Sequence, residues 1–93
     1  MTARIMLEPR LDTSAAAKLQ VQIEGAKDND LILDAAYVEM LGGLCLETML
    51  LAKHRWQESR HSFRVENGSD AFTKDLVVLG VRTEDLCTEV MPS

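Results

Sequence analysis

Few residues in this chain of 93 are of types that could do chemistry. Gly42-Gly43 stands where a strand region runs into a helix, and free backbone N–H groups at a helix start can hold an anion. The fuller phosphate loops, GxGxxG and GxxxxGK(S/T), are absent, and no lysine follows the pair directly. A turn that needs glycine, through positive φ or close backbone approach, is the simpler reading. Cys45 lies near the same helix start, where the helix dipole can lower a thiol pKa. A nucleophilic cysteine needs a histidine within reach. His54 falls about two and a half turns along the same helix and points away, and His61 lies farther on, in a loop. Cys45 is therefore expected as a small buried hydrophobe. The two histidines show no HExxH or paired ligand spacing, so they read as helix-end and surface groups. Asp34, Glu39 and Glu47 surround the strand-to-helix connection and could pair as acid and base, but they are expected as a solvated rim. No nucleophile, base and oxyanion arrangement assembles. No catalytic site, cofactor or metal is expected.

The elements that must position these residues follow from local pattern. Arg4 to Glu8 predicts a first strand, ended by Pro9. Asp12, Thr13 and Ser14 are each able to cap a helix over Ala15 to Ala26, where Ala16, Leu19 and Ile23 recur at helical spacing. Asp28-Asn29-Asp30 is a turn cluster, and Leu31-Ile32-Leu33 reads as a strand buried on both faces. A second helix is predicted over Leu44 to Glu58, mostly buried because Leu44, Cys45, Leu51 and Ala52 broaden its apolar face. Trp56 on that helix is a core or rim anchor. Ser62 to Glu66 alternates as a strand with one wet face. Ser69 is a candidate cap for a third helix with Phe72, Leu76 and Leu79 on its buried stripe, closing at Gly80. Thr83 to Glu89 has room for a last short helix capped by Thr83. Alternating strands and helices predict one α/β domain over residues 1–93, a mainly parallel or mixed sheet of three to four strands covered by three to four helices.

Composition narrows the function classes. Apolar residues are 46% and charged residues 27%, enough burial to offset ordering entropy. The net charge of −5 argues against duplex nucleic acid and anionic membranes, which need basic patches. Aromatics at 4% leave little stacking surface for single strands. The longest apolar stretch, Met40 to Ala52, is too short to span a bilayer and contains Glu47. MTARIMLEPR has no apolar core of a signal peptide. Cys45 and Cys87 are expected as reduced thiols in a cytoplasmic protein.

Three stretches carry a family resemblance. Leu33-Asp34-Ala35-Ala36-Tyr37-Val38-Glu39-Met40-Leu41-Gly42-Gly43-Leu44-Cys45-Leu46 resembles the core of STAS domains, the sulfate-transporter and anti-sigma-factor-antagonist family. The family pattern there is Asp-aliphatic-Ser at a strand end, a loop, then aliphatic-Asp-Ser/Thr-x-Gly-Leu opening a helix. Leu11-Asp12-Thr13-Ser14-Ala15 is similar to the Leu-Asp before the family's first helix. Asn67-Gly68-Ser69-Asp70-Ala71-Phe72, with Leu76, Leu79, Gly80 and Val81, resembles its last strand-turn-helix. Ungapped alignment puts Gly42 on the family's Asp, Gly43 on its phosphorylated Ser or Thr and Cys45 on its later glycine, and Ala36 replaces the first Ser. A gap of one or two residues instead aligns Gly43-Leu44 with Gly-Leu, and the switch residues are absent either way. One strand precedes the first helix where fuller members have two.

The resemblance implies binding without catalysis and without a phosphoacceptor. The implied partner is a kinase or ATPase-fold protein: short, switchless members with a Leu-Gly-x-x-Cys-Leu type of motif resemble proteins found with chemotaxis histidine kinases, and the missing phosphoacceptor puts that kinase before an anti-sigma kinase. The implied docking residues are Gly42, Gly43, Leu44, Cys45, Glu47, Ser69 and Asp70. The alternatives are an anti-anti-sigma factor, an accessory subunit of a lipid-transport ABC system, or a small redox protein using Cys45.

Overall fold

The structure, a computed structural model, describes residues 1–88. Its centre is a parallel sheet of three strands in the order β1-β3-β5: β1 Thr2–Met6, β3 Asp30–Asp34 and β5 Phe63–Glu66. Arg4 pairs with Ile32, which pairs with Arg64; Ile5 pairs with Leu33, which pairs with Val65. Two short strands, β2 Arg10–Leu11 and β4 Met40–Leu41, form a second parallel pair. The helices are α1 Ala16–Gly25, α2 Gly43–Glu58 and α3 Asp70–Val78, with 3-10 turns at Thr13–Ala15 and Thr83–Leu86. The small, mainly parallel α/β domain expected from periodicity is the one observed. Its radius of gyration, 12.3 Å, is that of one compact unit, about 12 Å for this length. Among the described residues no helix is long and apolar enough to cross a membrane.

The sheet differs from expectation in its faces. Leu31 and Leu33 are buried with Phe63 and Val65, and Ala3 and Ile5 pack against them. The opposite face is only partly covered. Arg4 and Arg64 are exposed there, and Ile32 is only partly buried, so β3 is not buried on both faces. Period-2 alternation in β1 and β5 explains this, since it turns Arg4, Arg64 and Glu66 to that face. An ionic ladder crosses that face: the Arg4 guanidinium lies 3.3 Å from Asp34 and 3.2 Å from Glu66, and Arg64 lies 3.4 Å from Glu66.

Helix boundaries follow caps. Asp12 takes the first cap, its carboxylate accepting from Ala15 N at 3.2 Å, and a 3-10 turn precedes α1. Ser69 Oγ accepts from Phe72 N at 3.0 Å, as predicted. Gly80, at φ 79°, closes α3 while Val81 N donates to Leu76 O at 2.9 Å, a turn that favours glycine. Three expectations shift. β1 begins two residues earlier and ends before Leu7, although Leu7 N still donates to Asp34 O. Leu79 is 40% exposed because α3 ends before it, so only Phe72 and Leu76 of the stripe are buried. The last turn is capped from Arg82, whose N–H donates to Asp85, rather than from Thr83. Glu89, the expected end of that helix, lies outside the described residues.

Candidate functional site

The strand-to-helix connection is built at the carboxyl ends of β3 and β5, where ligands and partners of parallel sheets gather. After β3 the chain turns at Ala35 to Val38, runs through β4 and enters α2 at Gly43. The backbone N–H groups from Glu39 to Gly42 are all held from within. Glu39 N and Met40 N donate to Pro9 O, at 2.7 and 3.1 Å, and Gly42 N donates to Leu11 O at 2.8 Å. Leu41 N donates to the Asp75 carboxylate of α3 at 2.8 Å. Ser69 Oγ donates to Val38 O at 2.6 Å, and Ser69 N donates to Ala35 O at 3.2 Å. The Ser69 turn and the entry to the helix are thereby tied to one connection.

The glycines divide the work. Gly42 is extended, at φ −92°, so it needs no positive φ. A Cβ there would sit 3.2 Å from Leu11 O, so close backbone approach is its reason. A Cβ on Gly43 meets nothing within 4 Å. Gly43, Leu44, Glu47 and Asp70 are exposed, Leu44 to 46%, and Ser69 is half-buried.

Of the expectations about chemistry, the one for Cys45 as a buried hydrophobe holds and the one for Asp34 changes. Cys45 is 0% exposed, with its thiol 3.3 Å from Asp12 O. Burial pushes this thiol up, helped by the negative charges of Asp12 and Glu8. Desolvation thus outweighs the lowering that a helix start can bring. Cys45 anchors the helix to the core and reaches a partner only through it. Asp34 is no solvated rim: it is 5% exposed, and its carboxylate accepts from Ala36 N and from Asn67 Nδ2, each at 3.0 Å, beside Arg4. Sequence spacing could not show this, because Asn67 is brought in by β5, 33 residues away. Glu39 and Glu47 are exposed. His54 faces Glu58 at 2.9 Å and His61 faces Asp30 at 3.6 Å. Among the described residues no cluster of His, Cys, Asp or Glu could hold a metal.

Asp34 makes a measurable pH dependence. The Ala36 N–H first, then the Asn67 amide, hold its carboxyl below the ordinary value, with Arg4 adding to them and burial opposing them. Its folded pKa is thus below the free-chain value of about 3.9. The stabilisation is complete above that value and is lost as pH falls through the folded pKa. Asp12, Asp30 and Asp85 shift the same way. Asp34→Asn is expected to lower the urea midpoint at neutral pH and to flatten its fall between about pH 5 and pH 2. An acid limb as steep as that of the unaltered chain would show that Asp34 contributes nothing to it.

No protein-family model, curated protein or solved structure matches the chain.

Proposed function

We propose that this protein is a non-catalytic, STAS-like regulatory module that docks on a kinase or ATPase-fold partner, a chemotaxis histidine kinase foremost, through the start of α2 and the Ser69–Asp70 turn. The supporting observation is the exposed Gly43-Leu44 step at the head of a helix whose entry is pinned by Leu11 and Asp75. The backbone N–H groups that lead into it, Glu39 to Gly42, are already bonded within the chain. What remains for a partner is shape, the Leu44 side chain and the exposed carboxylates of Glu39, Glu47 and Asp70. Gly43 places no hydroxyl at the position where the resemblance expects phosphorylation, so docking on this reading is constitutive.

Gly43→Asp tests it. The open space around Gly43 admits the side chain, and a carboxylate in the first turn of a helix is favoured by about 0.3–1 kcal/mol. At a closed interface the same carboxylate is desolvated without a partner, which costs several kcal/mol. Circular dichroism should stay native while calorimetric affinity for the purified kinase falls at least about a hundredfold, or ~2.7 kcal/mol. Unchanged affinity with a native spectrum would remove the helix start from the interface.

A further inference from the structure

Sequence periodicity puts Leu44 and Leu51 in the core, but the fold leaves them 46% and 61% exposed. They are seven residues apart on α2, so they stand on one face about 10.5 Å apart. They form one wall of a groove of about 460 Å³ between α1 and α2, with Ile23 and Ala52 among its lining. That size is within the range of ligand and side-chain pockets. Glu47 lies on the same wall between the two leucines and is exposed, with no ion-pair or hydrogen-bond partner among the described residues. The arginine at the other end is already matched: Arg55 pairs with Glu24 at 2.6 Å. The groove therefore carries uncompensated negative charge.

We infer that this groove seats an amphipathic helix of the partner, with two aliphatic side chains two turns apart and a lysine or arginine between them. A helix lying between two helices is a common mode of recognition, read through anchors at i and i+7. Leu44 and Leu51 match those anchors, and Glu47 selects the basic residue between them. The charge argues against a second copy of this chain, because two grooves facing each other would oppose Glu47 to Glu47 in a protein of net charge −5. This inference deepens the docking reading and rests on it for the kind of partner. The groove itself can be tested without the kinase.

The probe is a synthetic helical peptide of about 14 residues, roughly four turns, with leucines at i and i+7 and lysine at i+3. Its twin carries glutamate in place of lysine. Methyl-labelled full-length protein is titrated with each and followed by NMR. The lysine peptide should shift the Leu44, Leu51 and Ile23 methyls and bind at least about tenfold more tightly than the glutamate peptide. Leu51→Glu should abolish those shifts. Glu47→Lys should reverse the preference. Both side chains are exposed, so both variants should keep the native circular dichroism spectrum. Equal binding of the two peptides, or no shift of the groove methyls, overturns the inference. So does a dimer in sedimentation that Leu51→Glu dissociates, because the groove would then hold a second copy. Gly43 does not line the groove, so Gly43→Asp should leave peptide binding intact. Peptide binding without kinase binding leaves the groove standing and sinks the kinase. Kinase binding that the lysine peptide does not compete with does the reverse.

Discussion

Phe72→Ala is expected to lower stability by roughly 3–5 kcal/mol, the usual cost of emptying a buried aromatic site. Phe72 is 0% exposed and follows directly on the Ser69 cap, which receives its N–H. Its ring reaches back under the turn: a Cβ on Gly68 would sit 3.4 Å from Phe72 Cδ1. Truncation therefore opens a cavity where the turn, the helix and the core meet. Against a typical net stability of about 5–15 kcal/mol, the loss takes a large share of the fold. Each kcal/mol moves the melting temperature by about 4–8 °C in a domain of this size. The chain has one tryptophan, so urea unfolding can be followed by its fluorescence. Leu79→Ala, at the exposed end of the same stripe, should cost no more than about 1 kcal/mol. A Phe72→Ala loss below that figure would show that α3 is not anchored by this ring.

Trp56→Ala should cost a similar amount, roughly 3–5 kcal/mol, and Trp56→Phe separates its causes. Trp56 is buried, and its ring meets Phe63 edge-on with centroids 6.0 Å apart. Its Nε1 donates to Asn29 O at 2.7 Å, tying α2 to the turn before β3. Phenylalanine keeps most of the apolar contact but leaves that carbonyl without its donor, which costs about 1–3 kcal/mol. Circular dichroism in urea reads both variants. A phenylalanine variant as stable as the unaltered chain would show that the indole bond contributes nothing and that Trp56 acts by volume alone.

The STAS-like reading stands on residue patterns at three places in the chain. The docking surface proposed from it shows how far such patterns reach. Gly42 was legible as a glycine with a backbone reason, and close approach to Leu11 is that reason. Ser69 was legible as a cap because a serine after Asn-Gly and three residues before an apolar position has one economical use. Asp34 was not legible, because a carboxylate reads as solvated until the fold brings Asn67 and Arg4 to it. The β2–β4 pair was not legible either, since strands of two residues carry no periodicity.

What the sequence determined by itself is whatever depends on neighbours along the chain. The alternation of strands and helices, the apolar stripe through Phe72 and Leu76, and the turns at Asn67 and Gly80 all repeat within a few residues, so local physics sets them. The tertiary structure alone decided which apolar face found a cover. Leu44 and Leu51 satisfy the same helical spacing as Cys45 and Ala52, yet only the latter pair is buried. The sheet and α1 cover only part of the circumference of α2, and no periodicity in α2 records where that cover ends. The same holds for the charges: Glu47 and Asp34 are both acids beside one connection, and only the arrival of distant partners made one a buried clamp and left the other facing the groove.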